Sequence, residues 1–416
     1  MNLIEELKWR GLLKDVTDEE TLKQQLEARS PIYCGFDPTA PSLHIGHLVP
    51  IMVLSHFQRH GHPIIAVVGG GTGLIGDPSG RSSERQLLTI ETSLVNAQGI
   101  KDQLSRFLDF TDERKTKMVN NYDWLKNIDV ITFLRDYGKN FTINYMLAKD
   151  VVASRLDNGL SYTEFSYMLI QSIDFLTLYK KENCKIQLGG SDQWGNITAG
   201  IEMIRKTTGN SDAVGITIPL ITKSDGTKFG KSAGGSFWLD GELTTPYQLY
   251  QYFFNTADAD VINYIKIFTF LSVEEITELE RETLANPGER KAQKTLAMEM
   301  VRIIHGEEAL KEVLRMTEVL FNGKIRDLTA KQLMVCLDGV PSMETEQEMN
   351  VVDALVAVKA AVSKREAREF LKNGSIAING EKVTDETLMV NRELAIDGKL
   401  VVVKKGKKNY FLIKMI

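Results

Sequence analysis

Only three cysteines occur in the 416 residues, Cys34, Cys184 and Cys336, and their spacing offers neither a disulfide framework nor a zinc site. Proline is limited to ten residues and histidine to six. No internal repeat or low-complexity tract is present, and no apolar run reaches the length that spans a bilayer. A small disulfide scaffold, a solenoid and a helical membrane protein are thereby excluded. Residues 1–29 carry Glu and Asp freely, so they read as an amphipathic helix instead of a targeting leader. A cytoplasmic location with no membrane partner is the expectation, and no metal ligand set is expected either.

What is present is an ordinary globular composition, 43% hydrophobic and 25% charged, long enough for two or three cored domains. The net charge of −5 is unevenly spread. Residues 351–416 hold 13 Lys/Arg against 8 Asp/Glu, a net +5 that leaves −10 on the remainder. A basic module on an acidic body points to contact with nucleic acid at that end, because neutralising phosphate dominates such affinity.

From residue 30 to 222, short β-type runs alternate with helical stretches. Ile32–Phe36, Pro63–Val68, Lys185–Leu188 and Val214–Ile221 are the clearest strands. The alternation predicts an α/β fold with a doubly wound parallel sheet, its ligands at the carboxyl ends of the strands. We assign residues 1–223 to this domain and residues 224–321 to an α-helical one. Residues 322–350, with Asn322-Gly323, Gly339 and Pro341, read as a linker, and residues 351–416 as a small C-terminal α+β domain.

Between the first strand and the next helical stretch lies Pro38-Thr39-Ala40-Pro41-Ser42-Leu43-His44-Ile45-Gly46-His47. A helix start presents unpaired N–H groups and a positive dipole end, which suits phosphate. His44 and His47, one turn apart, can serve the same bound group. Taken alone, a helix cap with two incidental histidines is the simpler account. Nearly two hundred residues later, Lys228-Phe229-Gly230-Lys231-Ser232 puts two lysines into a Gly/Ser-rich loop. Together the two segments resemble the HIGH and KMSKS signatures of class I aminoacyl-tRNA synthetases. The second departs from the usual wording, with Phe229 for Met and Gly230 for Ser. The resemblance implies a Rossmann-like catalytic domain that activates an amino acid with ATP, Mg2+ accompanying the nucleotide.

Gly71, Gly73 and Gly76 match a dinucleotide fingerprint, but Asp77-Pro78-Ser79-Gly80 interrupts the helix that fingerprint must open, and a Walker lysine is missing. The segment reads instead as a tight loop that lets backbone approach a ligand, with Asp77 at its tip. Arg81 and Arg85 follow as candidate phosphate contacts.

In the helix predicted over Tyr162–Tyr179, residues Tyr167, Gln171 and Asp174 share one face. With Tyr33 and Asp77 they resemble the substrate pocket of bacterial-type tyrosyl-tRNA synthetases. The resemblance implies that Asp77, Tyr167 and Gln171 hold the ammonium group, that Tyr33 and Asp174 face the phenol hydroxyl, and that Gln193 also touches tyrosine. It assigns catalysis to Thr39, His44, His47, Lys228 and Lys231, and the nucleotide to Gly35, Asp37, Gly190 and Asp192 together with the same histidines and lysines. Near the C-terminus, a helix capped by Ser363 and closed by Asn373-Gly374 precedes short strands with an Asn379-Gly380 turn. That order is similar to the S4-type RNA-binding domain, with Lys364, Arg365, Arg368 and Lys372 as the tRNA contacts. The family also implies a homodimer acting on tRNA(Tyr). A tryptophan-specific relative and a non-catalytic RNA-binding relative are the alternatives.

Overall fold

The computed structural model describes all residues except 80–87, 157–158, 228, 233–234 and 407, with the backbone alone at 231–232. The chain divides into two compact units: Met1–Thr244 with Phe253–Ile304, and Thr245–Tyr252 with His305–Ile416.

The first unit is built on a parallel sheet of β1 (Ile32–Phe36), β2 (Ile64–Val68), β3 (Thr116–Asn120), β4 (Ile186–Gly190) and β5 (Val214–Ile218), in the order β3-β2-β1-β4-β5. β2 reads Ile-Ile-Ala-Val-Val and β5 Val-Gly-Ile-Thr-Ile, and every residue of both is buried, as parallel strands require. β3, Thr-Lys-Met-Val-Asn, is polar because it is an edge strand with four of five residues half-buried, and the sequence pattern missed it for that reason. Tyr33, Ile65 and Val67 join a core with Ile173, Phe175 and Leu176 of helix Tyr162–Glu182 and Ala199, Met203 and Ile204 of helix Trp194–Thr208. Helix Leu48–Arg59 packs against β1, β2 and β4.

Helix Tyr162–Glu182 starts where the Ser161 hydroxyl accepts the Glu164 N–H at 3.2 Å and stops where Asn183 turns left-handed at φ +50°. These caps fix which residues face the sheet, and so aim Tyr167, Gln171 and Asp174. Beyond residue 245 the chain is helical through Asn322, as the periodicity predicted.

In the second unit, residues 322–350 are not the linker expected. They form helix Ala330–Cys336 and strand Ser342–Thr345, the latter pairing in parallel with Asn409–Met415 at the edge of a five-stranded sheet. A short strand of alternating exposed and half-buried residues between Gly339 and Asn350 carries almost no apolar signal. The basic helix, Lys364–Lys372, begins at the Ser363 cap. Glu366 reaches the Val362 N–H at 2.6 Å, one residue before the cap. Asn379 and Gly380, both at positive φ (+49° and +90°), turn strand Ile376–Ile378 back onto Glu381–Lys382. No helix among the described residues is long and apolar enough to cross a membrane.

Candidate functional site

The chain runs from β1 to β2 and β3 on one side, then returns to place β4 on the other side of β1. That reversal opens a crevice beyond the carboxyl ends of β1 and β4, the place where open α/β sheets bind ligands. A cavity of about 250 Å³ lies there. β1 and the turn after it bring Tyr33, Gly35, Asp37 and Thr39 to its wall, and the loop after β2 brings Asp77. Helix Tyr162–Glu182 contributes Tyr167, Gln171 and Asp174, and β4 with its following turn contributes Gly190, Asp192 and Gln193. His47 also lines it.

Asp174 is buried at 3% exposure, yet two N–H groups aim at its carboxylate: Asn121 Nδ2 at 2.9 Å and Trp124 Nε1 at 2.8 Å. Burial dominates and pushes its pKa up to about 7; the two hydrogen bonds oppose this and the Asp37 charge adds to it. The buried Tyr33 hydroxyl has no hydrogen-bond partner among the described residues. Burial and then Asp174 hold its phenol well above the ordinary tyrosine range, so it stays a donor. A hydroxyl placed against both groups would accept from Tyr33 and donate to Asp174.

Neither Asn121 nor Trp124 emerged from the sequence. Both follow the polar edge strand β3, and only the adjacency of β3 and β2 carries them to Asp174. Asn121 Nδ2 also reaches Thr72 Oγ1 at 2.9 Å, and Thr72 donates to Asp37 Oδ1 at 2.8 Å. Tyr167 donates to the other Asp37 oxygen at 3.2 Å. A continuous network therefore runs from Asp174 to Asp37. Gly69 is required beside it, since a Cβ there would lie 1.9 Å from Asp37 Oδ1.

Opposite, Gln193 Nε2 donates to Asp77 Oδ2 at 2.6 Å, and Asn196 holds Gln193 Oε1 at 3.1 Å. Gln171 Oε1 is buried without a partner among the described residues. Asp77, Gln193, Tyr167 and Gln171 thus surround a mid-cavity region rich in acceptors, suited to a cation. Burial raises the Asp192 pKa, with Asp77 adding to the effect. Gly35 leaves open space on the cavity side: a Cβ would meet nothing described within 4 Å.

The two histidines stack with ring centroids 3.9 Å apart and 29° between planes. His44 Nδ1 accepts the Gly46 N–H at 3.1 Å, and His47 Nδ1 accepts the His44 N–H at 3.2 Å. Each ring therefore carries its proton on Nε2, which makes Nε2–H the donor of both. A Cβ on Gly46 would stand 2.8 Å from the His44 ring, so glycine is needed for this stacking. Gly230 of the later motif abuts the first: a Cβ on it would lie 2.9 Å from Ile45 Cγ1. Two segments nearly two hundred residues apart meet here. Arg81, Arg85 and Lys228 lie outside the described residues, as does the Lys231 side chain.

In the second unit, Lys364, Arg365, Arg368 and Lys372 are all exposed on their helix. Lys364 pairs with Asp353 at 2.6 Å and Arg368 with Glu386 at 3.4 Å. Exposed pairs of this kind are worth little and are readily exchanged for another anion.

Similarity to known proteins covers the whole chain. The family model described as tRNA synthetases class I (W and Y) matches residues 24–322. A model for the C-terminal domain of SYY-like tyrosine–tRNA ligases matches residues 332–413, well into the segment first read as a linker. The chain is 54% identical to tyrosine–tRNA ligase 1 of Bacillus cereus over 417 aligned residues, covering 100% of each. It is 53% identical over the same span to the tyrosine–tRNA ligase of Geobacillus stearothermophilus. Among solved structures, a truncated mitochondrial tyrosyl-tRNA synthetase of Aspergillus nidulans superposes at TM-score 0.68 with 33% identity, over 77% of this chain and 94% of that one. The Plasmodium falciparum tryptophanyl-tRNA synthetase, at TM-score 0.55 and 14% identity over 80% and 88%, shares the fold.

Proposed function

Because the chain belongs to the class I tRNA synthetases of the tryptophan and tyrosine branch, we infer that it is a tyrosine–tRNA ligase. It joins tyrosine to ATP as tyrosyl-adenylate and passes the tyrosyl group to tRNA(Tyr). The observation that carries the choice of amino acid is the buried cavity end where a donor, Tyr33, and an acceptor, Asp174, stand ready for one hydroxyl. An indole N–H can donate to Asp174 but cannot accept from Tyr33, and phenylalanine would leave both unpaired at about 1–3 kcal/mol per buried polar group.

In this reading the ammonium group of tyrosine lies among Asp77, Tyr167, Gln171 and Gln193, and its carboxylate faces the nucleotide. A carboxylate oxygen attacks the α-phosphorus; the bond from that phosphorus to the bridging oxygen breaks, and pyrophosphate leaves with the electron pair. The nucleophile is already ionised, so no general base is needed. Catalysis is alignment plus stabilisation of the charge that builds on the phosphoryl groups. His44 and His47 supply Nε2–H donors, Thr39 a hydroxyl, Lys228 and Lys231 positive charge, with Arg81 and Arg85 as further phosphate contacts. Gly35, Asp37, Gly190 and Asp192 take the nucleoside side. Among the described residues no three His, Cys, Asp or Glu side chains group as a metal site. In this reading magnesium arrives with the ATP substrate, where it offsets phosphate charge. In the second step the terminal adenosine hydroxyl of tRNA attacks the tyrosyl carbonyl and AMP leaves. Lys364, Arg365, Arg368 and Lys372 would neutralise tRNA phosphates.

The test is ATP–pyrophosphate exchange with tyrosine, tryptophan or phenylalanine. Tyrosine-dependent exchange is expected; exchange with tryptophan, or with none of the three, overturns the reading.

The Asp174 carboxyl adds a pH dependence. Its pKa is raised from 3.8 to about 7 by burial, so the neutral form is favoured in the folded protein. The stability this contributes is complete below pH 3.8 and is lost as pH rises through about 7. Tyrosine donates its phenol proton to the ionised carboxylate, so binding must expel the Asp174 proton at low pH. Tyrosine affinity, followed by calorimetry from pH 5.5 to 8.5, is expected to rise with pH and level off above about 7. A flat profile would count against Asp174 as the phenol acceptor.

A homodimer belongs to the same proposal. Val130, Ile131 and Leu134 lie on one short segment at 66%, 65% and 52% exposure, an apolar surface a monomer rarely leaves to water. Replacing Ile131 and Leu134 by aspartate is expected to shift the sedimenting species from dimer to monomer. An unchanged mass would remove this face from the interface.

A further inference from the structure

We propose that Phe229 is a positioning residue for adenylate formation: its buried ring sets the register of the lysine motif against the histidine motif. The inference rests on the adenylation reading above. The loop around it is exposed at Asp225, Gly226 and Thr227, as suits a phosphate-seeking segment. Phe229 turns inward, to 7% exposure, and Gly230 beside it is buried as well. Its ring stacks on Phe268 at 4.9 Å and 16°, and meets Tyr264 edge-on at 5.0 Å and Phe253 at 6.3 Å. Such aromatic contacts add attraction beyond that of burial alone. A loop whose task were only to carry lysines has no need of them.

The seat is itself rigid. Tyr264 and Phe268 are one turn apart on helix Asp258–Phe268, and the buried Arg10 guanidinium binds the carbonyls at its end. Arg10 Nη1 donates to Lys266 O and Thr269 O at 3.0 Å each, and Nη2 to Leu271 O at 2.9 Å.

From the seat, the backbone leads directly to the first motif. Gly230, at φ +80°, follows Phe229 and leaves no room for a side chain against Ile45. Its carbonyl accepts the Phe237 N–H at 3.1 Å; the Phe237 carbonyl accepts the Ile45 N–H at 2.9 Å; and Leu239 N–H reaches the Leu43 carbonyl at 2.8 Å. The segment after the lysine motif is thus a splint between Gly230 and residues 43–45. Phe229 anchors one end of it and His44 begins at the other. Phenylalanine in place of the methionine usual in KMSKS fits this role, because both are unbranched at Cβ and fill an aromatic seat, while Gly230 permits the close approach.

The test compares Phe229→Ala, Phe229→Met and Lys231→Ala with the wild type by pre-steady-state adenylate formation, tyrosine binding and amide hydrogen exchange. Phe229→Ala is expected to slow adenylate formation by about 10- to 100-fold, the cost of a misplacement near 1 Å. Tyrosine affinity should stay within about twofold, and exchange at the Ile45 and Phe237 amides should speed up. Phe229→Met should recover the rate to within about threefold. In the double variant Phe229→Ala/Lys231→Ala the rate should be close to that of Lys231→Ala alone, since both changes act through one loop. Multiplying effects, an unchanged rate in Phe229→Ala, or unchanged amide exchange would each overturn the proposal. Failure of the wild type to form adenylate would instead strike the function itself, while the amide exchange still reports on the splint.

Discussion

Asp174→Ala is expected to raise the KM for tyrosine by about two to three powers of ten, leave the ATP requirement intact, and nearly abolish preference for tyrosine over phenylalanine. The estimate starts from a hydrogen bond to a charged group, about 1.5–3 kcal/mol, lost when the carboxylate goes. Asn121 Nδ2 and Trp124 Nε1 then lose their shared acceptor, and the phenol hydroxyl is left beside two donors. Water entering the vacated space recovers part of this, which keeps the loss below the sum of the three. The protein itself should remain folded. A buried carboxyl whose pKa stands at about 7 is already paying for its desolvation at neutral pH. Its removal relieves that cost while forfeiting two hydrogen bonds, so the change in melting temperature should be small. Steady-state exchange kinetics and thermal melts check both halves; unchanged discrimination against phenylalanine would remove Asp174 from the specificity site.

Why Asp174 stood out in the sequence, while its supports did not, is a matter of periodicity. Tyr167, Gln171 and Asp174 sit on one uninterrupted helix, where spacing alone dictates a common face. Asn121 and Trp124 reach the same carboxylate from a different element, and no spacing rule connects residue 121 to residue 174. β1, β2, β4 and β5 were legible because burial leaves a largely apolar run, while β3 is only half-buried and carries polar residues. The helix and strand within 322–350 were illegible for the same reason, compounded by Gly339 and Pro341, which do mark turns but between structured pieces. The Gly230–Ile45 approach belongs to a third kind. Both motifs were visible as phosphate-type segments, but their contact depends on a backbone splint of undistinguished residues, 237–239.

His44→Ala is expected to lower kcat for adenylate formation by about 10²- to 10³-fold with little change in the KM for tyrosine. That is the range seen when one preorganised donor to a developing anion is lost. The hydrogen bonds around the ring make the effect one of the transition state. Nδ1 is committed to the Gly46 N–H, so Nε2–H is a fixed donor that needs no reorientation when phosphoryl charge appears. An interaction that strengthens only as charge builds alters kcat and leaves ground-state binding alone. Two substitutions separate this from a packing role. Glutamine at 44 extends an N–H to about the reach of Nε2 and should restore part of the rate. Phenylalanine keeps the ring that stacks on His47 at 3.9 Å but removes the donor, and should be as slow as alanine. Phenylalanine as active as wild type would mean that the ring's shape, and not its proton, is what the reaction uses.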